Sequence, residues 1–404
     1  MNIKVITRHG PSNYGSLLQS IATLKVLERL GHNAEIIDYQ RKDERGLKAV
    51  LANVNHKSGY GNPLKKLLYI MIRFPMEWLA QVKFDKMRKT YLKMTERCSR
   101  DADLRKLSAD VFMTGSDQVW GPVLTEPYDA HYFLDFVDDA TPKVAYAASF
   151  GKTVFNDEIE STFKRLLTRY NHITVREDSA KAILDKWDIA CDGQVIDPTL
   201  LLNKDEWSKF IKQDRAQGYV LIYQIHNNPK VNEYAKALAK KKGLKLYRVS
   251  PSLHQITRGG KLIYLPDLGD FLSAIKYCTY LVTDSFHGTC FAINFNKQFV
   301  EVLPENGTST RNQSLLKLVG LTNRIAYNVN DLDIADELID YREVNAIIQE
   351  ERIKSVEVLK VMLNINKSVI STPPKKKNNI CVVIGTNRTA FHSITNCNFE
   401  RRAA

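Results

Sequence analysis

Apolar runs of strand length alternate with helical periodicity along this 404-residue chain. A run at 3–6 leads into a turn-rich loop at 7–15, and apolar residues then recur at helical spacing from Leu17 to Leu27. A second apolar run follows at 34–39. This order predicts a strand–helix–strand unit, and the parallel sheets of α/β proteins are built from such units.

The alternation occurs in two successive halves, which predicts two Rossmann-like domains that face each other across a cleft. In the first half, further strands are expected at 111–114, 144–148 and 173–175. In the second half, strands are expected at 219–225, 244–249, 262–265, 281–283 and 299–302. The polar segment 213–218 indicates the boundary. The predicted parts are therefore domains at 1–212 and 213–335, closing helices at 336–370 and a tail at 371–404.

The net charge of +13 is concentrated in two segments. Residues 57–100 contain eleven basic and three acidic side chains, and residues 371–404 contain six basic and one acidic. A fold that binds nucleic acid is expected to carry basic residues across its core elements too, so we expect no nucleic-acid partner. No apolar stretch reaches the roughly 18 residues of a spanning helix, and no secretion signal precedes the first strand. A cytoplasmic location is expected.

The basic segment 57–100 also contains apolar residues at helical spacing. Leu64, Leu67, Leu68 and Met71 form a stripe that we expect to be interrupted at Pro75. The interleaved basic residues are Lys65, Lys66, Arg73, Lys83, Lys86, Arg88, Lys89 and Lys93. This mixture predicts a helical insertion that attaches peripherally to an anionic membrane surface. The alternative is that these helices pack on the first domain and the lysines are simply solvated.

The common nucleotide-binding and hydrolase motifs are absent, because no GxGxxG follows the first strand and GxxxxGK[ST], GxSxG and HExxH do not occur. The six cysteines have no CxxC spacing, so we predict no metal site. Polar residues follow the predicted strands instead. These segments are Asn13-Tyr14-Gly15-Ser16, Gly115-Ser116-Asp117-Gln118-Val119-Trp120, Val175-Arg176-Glu177 and Thr283-Asp284-Ser285-Phe286-His287-Gly288-Thr289. The first segment predicts either an anion site at a helix start or a plain N-cap.

Together with Gln19, Tyr146-Ala147-Ala148-Ser149-Phe150-Gly151 and Asp197-Pro198-Thr199, these segments occur in the order found in polysaccharide pyruvyl transferases. The chain resembles that family from about residue 3 to about residue 330. The resemblance implies a fold similar to GT-B glycosyltransferases. It also implies transfer of a pyruvyl group from phosphoenolpyruvate to a sugar of a lipid-linked polysaccharide precursor, as a ketal. Phosphoenolpyruvate is then the donor substrate, and no cofactor is expected.

The family often carries an Arg-Leu-His triplet where this chain has Ser285-Phe286-His287, so the arginine is missing. The resemblance assigns His287 as general acid, Asp117 as proton acceptor and Arg176 as donor anchor, with Arg311 as a weaker source of positive charge. The remaining predicted substrate-binding residues are Asn13, Tyr14, Gly15, Ser116, Gln118, Ser285, Gly288 and Thr289.

Two other functions stay open at this point. A GT-B glycosyltransferase that uses a nucleotide sugar would share the cleft and a histidine at a strand end. A non-catalytic, basic surface-binding protein would depend on its charge and would work without His287.

Overall fold

The structure is a computed structural model that describes residues 1–41, 44–55, 62–123, 126–304 and 309–364. These residues belong to one compact unit. Three predicted parts lie outside the described residues: the tail at 371–404, the end of the closing-helix segment at 365–370, and the start of the basic segment at 57–61.

The first sheet contains six parallel strands. They are β1 (Asn2–Ile6), β2 (Asn33–Ile36), β3 (Val111–Thr114), β4 (Lys143–Ala148), β5 (His172–Val175) and β6 (Gly193–Gln194). The order across the sheet is β2-β1-β3-β4-β5-β6. β3 and β4 are buried along their whole length, as expected of parallel strands covered on both faces. Because both faces of these strands are buried, most of their residues are apolar.

The second sheet contains five parallel strands. They are β7 (Tyr219–Tyr223), β8 (Lys245–Ser250), β9 (Lys261–Tyr264), β10 (Tyr280–Thr283) and β11 (Gln298–Glu301). The order across the sheet is β11-β10-β7-β8-β9. With helices on both sheets, the predicted class of two Rossmann-like α/β halves is confirmed.

Thirteen α-helices occur among the described residues. They are α1 (Tyr14–Arg29), α2 (Gly46–Asn55), α3 (Pro63–Tyr91), α4 (Asp101–Leu104), α5 (Asp157–Leu167), α6 (Asp178–Lys186), α7 (Pro198–Leu201), α8 (Lys204–Ser208), α9 (Pro229–Lys242), α10 (Leu268–Lys276), α11 (Phe286–Asn294), α12 (Thr310–Leu318) and α13 (Tyr341–Leu363). In this part of the chain, no helix combines the length and the apolar character needed to cross a membrane.

The strand order reverses once in each sheet, between β1 and β3 in the first and between β7 and β10 in the second. At such a point a crevice opens beyond the carboxyl ends of the strands, and ligands of open α/β sheets bind there. The predicted segments at 13–16, 115–120 and 283–289 follow β1, β3 and β10. The fold therefore places three of the predicted motifs at the two crevices.

The two halves share one apolar core. A single cluster of buried side chains includes Val5 on β1 and both Leu221 and Leu281 in the second sheet. Tyr14 extends this contact, because its ring stacks on Phe271 of α10 with centroids 4.2 Å apart. Its hydroxyl donates a hydrogen bond of 2.7 Å to the carbonyl oxygen of Pro266. Tyr14 thus ties the start of α1 to the second half.

The helix α3 runs continuously through Pro75, so the predicted interruption there is wrong. A proline inside a helix removes a single backbone N–H, and α2 packs alongside α3 and supports it. The helix contacts both halves. Arg73 lies 2.6 Å from Nδ1 of His254, and Lys83 forms an ion pair with Asp267.

Replacing Tyr14 with phenylalanine should keep the ring packing but remove the hydrogen bond to Pro266. We expect Tyr14→Phe to lower the free energy of unfolding by about 1 to 2 kcal/mol, since a buried carbonyl loses its donor. Urea titration measures this. The matched control is Tyr327→Phe, because that side chain is 68% exposed. Equal stability of the two variants would contradict the role given to Tyr14.

Candidate active site

A buried ion pair lies beyond the carboxyl ends of β3, β5 and β6. Nη1 of Arg176, which follows β5, lies 2.8 Å from Oδ2 of Asp197, and that oxygen also accepts a 2.8 Å hydrogen bond from Oγ of Ser116. Burial favours the neutral form of Asp197, but His287 and Arg176 outweigh it and hold the pKa of this carboxyl well below its usual range. Asp197 therefore stays ionised.

Asp117 lies next to this pair and adopts a backbone conformation that non-glycine residues rarely take, with φ of 80°. Its carboxylate accepts hydrogen bonds from Oγ of Ser16, at 3.0 Å, and from the backbone N–H of Gln118, at 2.9 Å. Burial alone would raise the pKa of Asp117, but its electrostatic interactions with His287 and Arg176 lower it. Strain of this kind is tolerated where the surrounding structure fixes the residue, often at functional sites.

His287 reaches the same cluster from the second half. Ser285 caps α11 by accepting a hydrogen bond from the backbone N–H of Gly288, which places His287 in the first turn. Nε2 of His287 lies 3.7 Å from Oδ2 of Asp197. The imidazole packs directly on Gly15, where a methyl group would overlap Nδ1. Gly15 thus allows the two halves to approach closely at the histidine.

Phe286 stands between two arginines. The guanidinium carbon of Arg176 lies 4.3 Å from its ring centroid, and that of Arg311, on α12, lies 6.0 Å away. Within the described ranges, Nε and Nη2 of Arg176, Nε of Arg311 and Nε2 of His287 are buried without a hydrogen-bond partner. Burial lowers the pKa of Arg311 to about 10, so it remains charged. Buried donors of this kind indicate a place for an anionic ligand.

Glu177 and Asp197 were not among the predicted site residues, although both belong to the predicted motifs. Glu177 accepts a 2.6 Å hydrogen bond from Oγ of Ser149, and its free oxygen lies 3.7 Å from Nε of Arg176. Burial raises the pKa of Glu177. Their positions in the sequence were the available signal, because Glu177 comes two residues after β5 and Asp197 comes three residues after β6.

The other predicted residues lie apart from this cluster or serve the fold. Asn13 accepts a hydrogen bond from the backbone N–H of Gly15, so the predicted N-cap of α1 is present. Gln118 is half-buried and packs on Gly151. Gly288 packs on Thr283, where a side chain would not fit.

Thr289 faces away from the cluster and donates a hydrogen bond to Glu301, a fully buried carboxyl at the end of β11. The second oxygen of Glu301 accepts a 2.5 Å hydrogen bond from Asn312 of α12. Burial, together with the negative charge of Asp284, raises the pKa of Glu301 to about 8. This carboxyl joins the helix that carries His287 to the helix that carries Arg311.

A cavity of about 560 Å³ opens beside the cluster, at the carboxyl ends of β7 and β8. Its walls are the loop before α1, the loops after β7 and β8, and the inner face of α3. Tyr14 and Tyr223 belong to its lining, and Gly15 and Gly288 connect this wall to His287. The cavity and the buried cluster are therefore adjacent.

The family model for polysaccharide pyruvyl transferases matches residues 13–305. The chain belongs to this family. The match contains the whole buried cluster apart from Arg311, which follows it on α12. No curated protein matches the sequence.

Solved structures show the fold. A putative UDP-N-acetylglucosamine 2-epimerase from Listeria monocytogenes has a TM-score of 0.51 at 10% identity, over 91% of this chain and 97% of its own. The corresponding epimerase from Rickettsia bellii has a TM-score of 0.49 at 14% identity, over 91% and 99%. An O-GlcNAc transferase mutant from Thermobaculum terrenum has a TM-score of 0.46 at 11% identity, over 90% and 66%. The likeness to the Listeria structure shows a shared fold of the GT-B type, consistent with two Rossmann-like halves.

The raised pKa of Glu301 predicts a pH effect on stability. A group whose pKa is higher in the folded state stabilises most below its unfolded value, and that stabilisation is lost as pH rises through about 8. Between pH 5 and 9, the parent should lose at least about 1 kcal/mol more stability than Glu301→Gln. Denaturant titration at each pH measures it, with Glu357→Gln on the exposed side of α13 as control. If the free energy of unfolding changed with pH equally in the parent and in Glu301→Gln, the raised pKa of Glu301 would be contradicted.

Proposed function

We propose that this transferase moves the pyruvyl group of phosphoenolpyruvate to a sugar of a lipid-linked polysaccharide precursor and forms a pyruvate ketal. The observation that supports this most directly is the set of buried nitrogens on Arg176, Arg311 and His287 that have no hydrogen-bond partner in the described part of the chain. Phosphoenolpyruvate carries a carboxylate and a phosphate, and guanidinium groups bind both in a bidentate manner.

Arg311 takes the place of the arginine that the family often carries before its histidine. Ser285 occupies that position here and is used as the cap of α11. Within the described residues, the Arg311 side chain has no hydrogen bond or ion pair, whereas Arg176 is held by Asp197. Arg311 is therefore the anchor for the donor with fewer contacts inside the protein. Arg176 contributes the edge of its guanidinium group that does not contact Asp197, formed by Nε and Nη2.

His287 and Asp117 serve as acid and base in this proposal. His287 donates a proton to the methylene carbon of phosphoenolpyruvate, which makes C2 electrophilic, and a sugar hydroxyl attacks C2. Asp117 is ionised and accepts the hydroxyl proton. The bond between C2 and the phosphate oxygen then breaks, and phosphate leaves with the proton held by Asp117. A second hydroxyl closes the ketal at C2, and its proton returns to His287. The reaction uses phosphoenolpyruvate as substrate and requires no redox cofactor.

The decisive experiment follows phosphate release from phosphoenolpyruvate in the presence of lipid-linked oligosaccharides. Phosphate released together with a pyruvylated sugar, detected by mass spectrometry, is the expected result. Release of a nucleoside diphosphate from nucleotide sugars, with phosphoenolpyruvate untouched, would support the glycosyltransferase alternative instead. Neither reaction would be expected of a non-catalytic surface-binding protein.

Replacing His287 with alanine should lower kcat by about 10²- to 10⁴-fold, the range for loss of an acid–base group. The matched control is His32→Ala, because His32 precedes β2 at the opposite edge of the first sheet. Initial rates of phosphate release measure both variants. Turnover of His287→Ala within a few-fold of the parent would exclude it as the general acid.

Arg311→Gln should raise the KM for phosphoenolpyruvate about 10- to 100-fold, since a charge-assisted hydrogen bond contributes about 1.5 to 3 kcal/mol. The KM for the acceptor should stay the same. Arg176→Ala is less informative, because it leaves Asp197 buried and unpaired, which typically costs about 3 to 5 kcal/mol of stability. An unchanged donor KM in Arg311→Gln would remove Arg311 from the donor site.

We also propose peripheral attachment to an anionic membrane through the outer face of α3. This face consists of Leu64, Leu67, Leu68, Met71, Ile72, Trp78, Leu79 and Val82. Their spacing of three and four residues places them on one side of the helix, and Leu64 and Met71 are 74% and 65% exposed. Lys86 and Lys89 continue the same side and are exposed. The mixture suits an interfacial helix.

Arg88, part of the predicted basic surface, does not belong to this face. It is buried, pairs with Asp85 and donates to the carbonyl oxygens of His9 and Pro11. In liposome flotation, the parent should bind anionic but not neutral vesicles, and replacing Lys65, Lys86 and Lys89 with glutamine should abolish binding. The control replaces the exposed Lys204, Lys209 and Lys212. Recovery in the unbound fraction with both vesicle types at low salt would refute attachment.

A further inference from the structure

The 560 Å³ cavity differs in chemistry from the buried cluster beside it. None of the residues that line it is an aspartate or a glutamate, while two of them, Arg73 and Arg258, are arginines. By contrast, the buried cluster contains Asp117, Glu177 and Asp197. The cavity therefore favours an anion.

The two arginines lie on opposite walls. Arg73 is on the inner face of α3, where it pairs with Glu77 and bonds to Nδ1 of His254. Arg258 follows β8 and donates one hydrogen bond, of 2.5 Å, to Oδ1 of Asn227. Among the described residues, Arg258 has no carboxylate partner, so its positive charge is not neutralised by the protein. Arg258 is the main anion-binding group of the cavity.

Two glutamines that line the cavity, Gln224 and Gln255, are held in place by a buried arginine. Arg248 is 1% exposed and donates to Oε1 of both Gln224, at 3.0 Å, and Gln255, at 3.4 Å. Buried polar side chains fixed in this way orient the groups that line a site. Amides, serine hydroxyls and tyrosine rings are the groups that bind sugar hydroxyls and sugar faces.

We propose that this cavity binds a phosphorylated sugar, with the phosphate or diphosphate near Arg258 and Arg73 and the sugar against the amides. The proposal rests on the proposed function and assigns a binding site to its acceptor. Tyr223 lines the cavity, and its ring would lie 3.1 Å from a Cβ atom at Gly288, which follows His287. A sugar in the cavity therefore lies next to the start of the helix that carries His287.

Two sources supply this chemistry, a lipid carrier diphosphate and a nucleoside diphosphate. The structure favours the lipid carrier, because α3 provides a wall of the cavity with Tyr69 and Arg73 while the opposite side of the same helix is the exposed apolar face. An acceptor anchored in a membrane would then enter beside the helix that contacts the membrane. The test compares both sources.

Equilibrium binding without phosphoenolpyruvate tests the proposal with four probes: a free hexose, its 1-phosphate, a hexose on a short polyprenyl diphosphate, and the UDP-hexose. The phosphorylated probes should bind at least about tenfold tighter than the free hexose. Arg258→Gln should weaken their binding about tenfold and leave the free hexose unchanged, since one charge-assisted hydrogen bond is lost. The matched control is Lys245→Gln, exposed at the far end of β8.

Equal binding of free and phosphorylated hexose, or unchanged binding in Arg258→Gln, would overturn the proposal. Tight binding of either diphosphate supports it, and the tighter of the two identifies the source. Arg73→Gln provides a second variant on the other wall. Binding of phosphorylated sugars through Arg258 without any consumption of phosphoenolpyruvate would support this site and overturn the proposed function, so the two failures are distinguishable.

Discussion

The pair of Arg176 and Asp197 determines how the rest of the site is arranged. It joins the loop after β5 to the loop after β6, and Ser116, after β3, donates to the same carboxylate oxygen. Three strand ends of the first sheet are thereby held together. His287 of the second half lies 3.7 Å from that oxygen. Because the charges are buried, removal of either partner would leave the other without compensation.

Two arginines lie beside the segment that contains His287. A serine at position 285 caps α11, and the ring of Phe286 contacts the guanidinium groups of both Arg176 and Arg311. The positive charge near this segment therefore comes from the loop after β5 and from α12 rather than from α11 itself.

Much of the fold could be predicted from the sequence because the strands are short apolar runs between turn residues. The strand at 111–114 was predicted at its observed limits, and Ser116, Asp117, Arg176 and His287 do lie together. The contacts between loops that are distant along the chain could not be predicted from the sequence. Asp197 meets Ser116 only through the sheet order, and no local pattern records that contact.

Charge and proline patterns misled at two positions of α3, for physical reasons. Arg88 belongs to a basic run, yet it is buried because two backbone carbonyls of the loop after β1 need a donor there. Pro75 did not end α3, which continues through it and packs against α2. Tertiary demands of this kind are not visible in composition or spacing.

The contact of Gly15 with the imidazole of His287 limits what either position can accommodate. A Cβ atom at position 15 would lie 2.2 Å from Nδ1 of His287, so the histidine ring would have to shift before a larger residue could fit there. The residue of the first half that has no side chain therefore sets the position of the imidazole that the second half contributes.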